Sequence, residues 1–442
     1  MDSLAWICQP LPPFKLTPGA ITTNQFLHHV HSLATKLPRA EHAINLCENR
    51  YLFLVSLCAV IIRGQTNLLP SNKNVATQRR LSKRYPNTYV VHDGCTEIAP
   101  VEQFNIRQCK LEPSVGSHEI DLIACDHVAV ISFTSGSTGD SKPNIKTWRT
   151  LTDSTEINAR YMLTGEKKTI THLATVPGQH MWGLETSVLM ALFKNVCLVD
   201  AQPLFPNTIV SILNSLPSPR TLISTPLHLR ALYQSNVSLP KLTSILSATA
   251  PLSKELAQDI ERTFGTQLRE VYGCSECGSM AVRRTSETNV WQRFSELTFN
   301  ASDTGRIRVN ADHLPGSTLL EDQIEIIDQD HFMLRGRSSD QINIAGKRGS
   351  LDEINKVLQA FTGLIDGVVL FPPQSQSVPR LVALVVLVNG IEKSLLRSHF
   401  RTYLDPAFVP RPIIEVDKLP REDNGKLIKS KLLDFYRLNK TR

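Results

Sequence analysis

Residues 132–142 read SFTSGSTGDSK, a run of serine, threonine and glycine closed by one acid and one base. They directly follow the apolar stretch HVAVISF at 127–133. Glycines let a backbone approach a ligand closely and turn its N–H groups inward. Hydroxyls add donors, and Lys142 adds positive charge. These are the parts of a phosphate cradle; the plainer alternative is a strand-to-helix turn with solvated hydroxyls. One phosphate loop is excluded by spacing. A Walker A loop needs G-x-x-x-x-G-K-[ST], whereas Gly139 precedes Asp140, Ser141, Lys142 and Pro143. Two further places offer chemistry. Lys426 follows Asn424 and Gly425, a turn signal that projects a side chain from a loop. Cys274 and Cys277 have C-x-x-C spacing, half of a zinc site, but no second C-x-x-C or H-x-H follows.

The elements that must hold these residues are legible as patterns. Helices are expected over 23–36 and 42–62, with the apolar run from Tyr51 to Ile62 buried and too short to span a bilayer. Residues 67–125 read as short strands and loops. HVAVISF reads as a buried strand. THLATVP, NVCLVD, TLISTP, LTSILSATAP and QLREVYG read as further strands. Between them, PLSKELAQDIERTFG has an N-cap in Ser253, an apolar stripe of Leu256, Ile260 and Phe264, and a stop at Gly265. Strand, helix and strand at this spacing predict an α/β fold with largely parallel sheets. The pattern changes near 336–341. Beyond it, Ser350 and Glu353 form a capping-box signature, followed by strands GVVLF and LVALVVLV, a helix near 391–404 and a strand PIIEV. The expected organisation is a large mixed α/β domain over 1–337 and a small α+β domain over 338–442, joined by a hinge.

Composition bounds the function. The chain has 442 residues, 41% hydrophobic and 20% charged, ordinary for a soluble globular protein of two or three domains. The segment MDSLAWICQPLPPF lacks a basic region and a long apolar core, so no signal peptide is expected. Nine scattered cysteines point to reduced thiols and a cytoplasmic location. The net charge of +7 is spread along the chain rather than gathered in a stripe, which argues against nucleic acid. It suits an anionic small substrate or an acidic protein partner.

TSGSTGDSK (134–142) resembles the phosphate loop T-S-G-[ST]-T-G-x-P-K-G of the adenylate-forming enzymes, with Ser141 for Pro and Pro143 for Gly. That family comprises acyl- and aryl-CoA synthetases, adenylation domains of peptide synthetases, and luciferase. Five more of its motifs occur in order. PGQHMWGLE (177–185) resembles P-x-x-H-x-x-G, SATAPLS (247–253) resembles S-G-A-A-P-L-S, and VYGCSECG (271–278) resembles Y-G-x-T-E. LRGRSSDQINIAGKRGSLDEI (334–354) resembles G-R-x-D-D-x-I-K-I-R-G-x-R-I-E-P-x-E-I, and LPREDNGKLIKSKLL (419–433) resembles L-P-R-T-x-N-G-K-I-D-R-x-x-L. Counting back from Gly336 at the family interval lands on Asp322, although LLE precedes it in place of T-G. The phrase GSTGDSKPNIKTW resembles AMP-ligases of aryl-polyene and xanthomonadin-type pigment clusters.

The resemblance implies roles. Lys426 is the catalytic cation between carboxylate and α-phosphate, with His180 beside the acyl pocket and Ser275 in place of the motif threonine. Thr134, Ser135, Gly136, Ser137, Thr138, Gly139 and Lys142 clamp the β- and γ-phosphates, and Lys146 is expected to share that load. Thr249 and Ala250 cradle adenine, Tyr272 and Gly273 lie against it, Asp322 accepts the ribose hydroxyls, and Arg337 sits beside the ribose or phosphates. Glu276 holds Mg²⁺. Ser339, followed by Asp340, falls at the hinge, and the region around Gly346 lines a thiol tunnel in a second domain orientation. The acyl pocket is expected from 177–187, 222–228 and 246–250, narrowed by Phe133, Trp182, Leu227 and Thr249. The implied reaction is carboxylate plus ATP to an acyl- or aryl-adenylate, then capture by a thiol. The acceptor is a carrier-protein phosphopantetheine, with free coenzyme A as the alternative and lysines such as Lys347 serving either. The acid is aryl, such as a hydroxybenzoate, or fatty. The rival of another class is an idle module that binds nucleotide or acyl-adenylate.

Overall fold

The computed structural model describes residues 3–5, 14–16, 19–94, 99–109, 122–134, 142–163, 168–303, 305–337, 340–344, 347–372, 380–422 and 425–439. Behind short strands at Ser3–Ala5, Phe14–Leu16 and Gly19–Ile21 comes helix α1 (Thr23–Ala34). Thr22 and Gln25 cap it reciprocally, and Phe26, Val30 and Leu33 bury one face. The helix expected over 42–62 divides in two. His42–Asn45 is a strand (β1), and helix α2 (Arg50–Ile62) starts only behind Asn49, whose side chain accepts from the Leu52 N–H. Four residues are too few for periodicity to separate strand from helix. Strand β2 (Thr66–Leu69) leads to a helix the sequence did not announce, α3 (Val75–Arg84). It is polar around most of its surface, buries only Thr77, Gln78 and Leu81, and owes its start to the Asn74 cap.

Strands β3 (Thr88–His92), β4 (Gln103–Asn105), β5 (Val128–Thr134) and β6 (Lys142–Thr147) complete a six-stranded sheet in the order β6-β5-β2-β1-β3-β4. It is parallel except for β6, which runs antiparallel to β5 with Lys142 opposite Thr134. The hydroxyl- and glycine-rich segment therefore lies between two antiparallel neighbours, not between a strand and a helix. Helix α4 (Trp148–Met162) follows β6, capped by Thr147.

The second sheet has nine strands. Strands β7 (Ile170–Ala174), β8 (Val196–Leu198), β9 (Arg220–Ser224), β10 (Ser244–Ser247) and β11 (Leu268–Cys274) are parallel. Antiparallel strands β12 (Gly278–Arg283), β13 (Trp291–Arg293), β14 (Asp322–Ile326) and β15 (His331–Arg337) extend it, in the order β8-β7-β9-β10-β11-β12-β13-β15-β14. Helices α5 (Pro206–Ser215), α6 (Pro226–Gln234) and α7 (Lys254–Phe264) cross between the parallel strands. In α7 the Ser253 side chain accepts from the Leu256 N–H, and Gly265 closes the helix in the left-handed region, as the sequence predicts.

The smaller C-terminal domain has its own core. Strands β16 (Leu364–Leu370), β17 (Val382–Leu387) and β18 (Ile413–Glu415) form a sheet beside helices α8 (Leu351–Gln359), α9 (Lys393–Tyr403) and α10 (Lys429–Asn439). The capping box expected at Ser350 is not made. Its side chain accepts no cap hydrogen bond, and its buried Oγ has no partner. Arg230 Nη2 on α6 reaches across to the Gln359 carbonyl (3.0 Å) and side-chain oxygen (3.1 Å), and Gln234 Nε2 donates to the Leu364 carbonyl (3.0 Å). These bonds dock α8 and β16 on the larger domain. Among the described residues no helix is long and apolar enough to cross a membrane.

Candidate active site

Parallel strands deliver their carboxyl ends to one edge of the second sheet, where open α/β sheets hold ligands. His180 follows β7, Thr225 and His228 follow β9, Thr249 and Ala250 follow β10, and Tyr272 and Gly273 end β11. Thr249 has φ +80°, a left-handed conformation that is uncommon for a threonine.

The Tyr272 hydroxyl donates to Asp322 Oδ2 at 2.9 Å. This joins the end of β11 to β14, where Asp322 lies opposite Arg337. The residue found by counting thus reaches the motif tyrosine. The Tyr272 ring is itself tilted against Trp291 and Phe332, with centroids 5.6 and 5.9 Å away, so one side of it is a core aromatic.

His180 caps the helical run that begins at Met181: the Trp182 N–H donates to its Nδ1 at 3.3 Å. That bond leaves Nε2 carrying the proton in the neutral ring. Burial pushes His180 down to about 4, and the Lys426 cation pushes in the same direction. The cation of the small domain thus acts electrostatically on the histidine of the large one. Its approach is shaped by Gly425, whose φ of +80° requires glycine and whose Cα passes close to Thr225. Arg421 holds that turn. Nε and Nη2 donate to Asp366 at 2.7 and 2.6 Å, and Nη1 donates to the Gly425 carbonyl at 2.6 Å. The Glu422 N–H closes the turn on the Lys426 carbonyl at 2.9 Å. Arg421 stands in a quoted motif, but nothing in its spacing announced Asp366, 55 residues away.

Beside His180, the Thr175 hydroxyl meets His228 Nδ1 at 2.8 Å and Ser224 Oγ at 3.0 Å. Burial and the Arg421 cation push His228 down to about 4. Trp182 is buried here, its Nε1 donating to the Ser224 carbonyl at 3.1 Å, and Leu227 is half-buried. Phe133, expected to narrow the same pocket, is elsewhere. It packs with Ile44, Leu68 and Ile131 in the first sheet, edge-on to Tyr85 at 5.8 Å.

Glu276 is exposed in the turn between β11 and β12, with half-buried Ser275 before it. Lys146 does not extend the phosphate cradle: it is 2% exposed, and its Nζ donates to the Glu276 carbonyl at 2.6 Å. Burial lowers this ammonium, and the buried Glu185 opposes that shift most strongly among its neighbours. The Cys274 and Cys277 thiols of the C-x-x-C spacing are hydrogen-bonded to one another, a bond that raises Cys274 and lowers Cys277. Lys142 is exposed at the start of β6. Ser135, Gly136, Ser137, Thr138, Gly139, Ser339 and Gly346, with the side chains of Thr134 and Arg337, lie outside the described residues.

Comparison with known proteins adds the following. The family described as AMP-binding enzyme matches residues 24–329. The putative long chain fatty acid-CoA ligase VraA of Staphylococcus haemolyticus is 24% identical over 354 residues, covering 75% of this chain and 76% of its own length. The 4-coumarate–CoA ligase of Halorhodospira halophila is 28% identical over 246 residues, 54% of this chain and 58% of its own. The fold is similar to that of O-succinylbenzoate coenzyme A synthetase from Bacillus subtilis, solved in complex with AMP. The TM-score is 0.81 at 16% identity, over 98% of both chains.

Proposed function

The chain belongs to the AMP-binding enzyme family of adenylate-forming acyl- and aryl-CoA ligases, and from that premise we propose that it is an ATP-dependent acid–thiol ligase working in two steps. In the first, a carboxylate oxygen attacks the α-phosphorus of ATP, the bond to the β-phosphate oxygen breaks, and pyrophosphate leaves. In the second, a phosphopantetheine thiolate attacks the acyl carbon, and AMP leaves as the thioester forms. The observation that carries this reading is the Arg421-held turn before Lys426, which sets Gly425 against Thr225 at the carboxyl edge of the second sheet.

Each residue has a task there. Lys426 places an ammonium where carboxylate and α-phosphate oxygens converge, a preorganised charge that strengthens as the transition state forms. His180, neutral at pH 7, offers Nε2–H to the acid without adding a second cation. Asp322, steadied by Tyr272, accepts the ribose hydroxyls. Thr249, Ala250, Tyr272 and Gly273 receive the adenine, and Ser275 and Arg337 border the phosphates. Thr134, Ser135, Gly136, Ser137, Thr138, Gly139 and Lys142 clamp the β- and γ-phosphates. Glu276 fits Mg²⁺: one exposed carboxylate, with the other positions left to phosphate oxygens and water, is a donor set this ion accepts. Magnesium when bound neutralises phosphate charge and eases the departure of pyrophosphate. We place the boundary between the domains at residues 337 and 338, so that the smaller one carries Lys426.

The relatives named as ligases of fatty acids and of 4-coumarate to CoA support an acyl or aryl acid and a phosphopantetheine thiol. Residues 338–442 also hold sixteen Lys and Arg against eleven Asp and Glu, a charge suited to CoA phosphates or an acidic carrier protein. The test is acid-dependent pyrophosphate release with ATP and Mg²⁺, across benzoates, cinnamates and fatty acids, with hydroxylamine to trap adenylates. Free CoA and a holo carrier protein are then compared as acceptors. Release with one acid class is expected, and K426A should lose about 10²–10³-fold in rate while still binding ATP. ATP binding without release for any acid, with either acceptor present, would sink the ligase reading in favour of an idle nucleotide-binding module.

A further inference from the structure

We propose that Lys146 and Glu185 are a buried pair of positioning residues for the turn that presents Glu276, tying the metal end of the site to the strand that leaves the phosphate segment. The inference rests on the reading above, in which Glu276 holds Mg²⁺. Neither residue belongs to the motifs' own chemistry. Lys146 lies on β6 opposite Val130 of β5, four positions beyond Lys142. Glu185 lies in the π-helical stretch Leu184–Leu189 that follows His180. Both are almost wholly buried, at 2% and 3% exposure.

They grip the turn at two points. Lys146 Nζ donates to the Glu276 carbonyl at 2.6 Å. Glu185 Oε2 accepts from the Ser279 N–H at 3.2 Å, from Ser279 Oγ at 2.8 Å and from Asn158 Nδ2 at 3.4 Å. Between those points stands Gly278, with φ +76°. A Cβ there would lie 2.2 Å from Glu185 Oε1, so the carboxylate occupies the space a side chain would need. The turn is thus held through its main chain, and the Glu276 carboxylate is left exposed and aimed by bonds that never touch it.

The energetic logic favours placement over stability. Two charges withdrawn from water cost several kcal/mol each, and an apolar pair of similar volume is often as stable. What an apolar pair lacks is a directional bond to the Glu276 carbonyl. Groups that orient a metal-binding carboxylate from behind are commonly worth about 10–100-fold in metal affinity. Because Lys142 and Lys146 share one strand, the phosphate segment and the metal-bearing turn are also mechanically joined.

The test compares the full-length wild type with K146M and K146M/E185Q, the double variant leaving no buried charge uncompensated. Calorimetry gives ATP affinity in excess Mg²⁺ and in EDTA, and a thermal melt checks folding. The double variant should melt cooperatively and bind ATP in EDTA as the wild type does. It should lose about tenfold of the affinity gained from Mg²⁺, with a matching rise in the Mg²⁺ needed for half-maximal pyrophosphate release. If it unfolds, K146M alone, which removes the bond to the Glu276 carbonyl and leaves Glu185 on Ser279, must still raise the Mg²⁺ requirement. Unchanged Mg²⁺ dependence in a folded variant overturns the proposal. So does an equal loss of affinity in Mg²⁺ and EDTA, since the pair would then only support the fold. A wild type whose ATP binding ignores Mg²⁺ overturns the metal reading itself, before any variant is made.

Discussion

In the proposed site Asp322 takes the two ribose hydroxyls, and Tyr272 Oη donates to its carboxylate at 2.9 Å. A hydrogen bond to a charged acceptor is worth about 1.5–3 kcal/mol. Y272F is therefore expected to raise the KM for ATP about tenfold with kcat little changed, and D322A to raise it further; steady-state pyrophosphate release against ATP concentration checks both. The buried histidines set a pH limit. Burial pushes His172 and His180 from 6.5 down to about 4. Between those values the unfolded chain binds more protons than the folded one, so stability is complete above pH 6.5 and is lost as pH falls towards 4. Urea midpoints at pH 7.5 and 5.5 should differ accordingly, and H172N should narrow the gap. The rate profile of adenylation should carry no inflection near 6.5 from His180. Residues proposed from the motifs and their spacing, such as Tyr272 and Asp322, are brought together by the fold. The bonds that Lys146 and Glu185 make to the Glu276 turn were not legible, because their partners lie 130 and 94 residues away and are chosen by the fold alone.

At the scale of elements, legibility followed the strength of local signals. Helix α7 has a side-chain cap, an apolar stripe and a glycine stop, and all three are realised. Removing the cap with S253A should cost about 1 kcal/mol, read from the urea midpoint, and leave the KM for ATP unchanged. Ser350 and Glu353 carry the same kind of signature, yet the Ser350 backbone enters α8 without its side chain capping it. There the antiparallel pairing of Ser350 with Gln341 decides the backbone path, and tertiary structure overrides the local preference. Helix α3 was missed for the opposite reason: a surface helix with little apolar face offers no period to read. The antiparallel β5–β6 pair was equally illegible, since KPNIKT alternates only weakly and joins the sheet at its rim.

At the scale of the molecule, Arg230 and Gln234 carry polar contacts between the domains among the described residues. The Arg230 and Gln234 bonds are side chain to main chain or amide, without a buried ion pair. R230A should slow acid-dependent pyrophosphate release about fivefold, roughly 1 kcal/mol for the lost bonds, with ATP affinity unchanged. A thiol acceptor drawn by the basic surplus of residues 338–442 should show a KM that rises with salt, because exposed charges are screened within about 8 Å at physiological ionic strength. The Arg421–Asp366 clamp has a different reach. Both of its partners, and the Gly425 carbonyl, belong to the smaller domain. Parting the two domains would break the Arg230 and Gln234 contacts and leave the lysine's turn as it is. The turn is like a tool already set in its holder. Held within the small domain, its edge is finished before it meets the large one, and the entropy of shaping it is spent once, when the small domain folds.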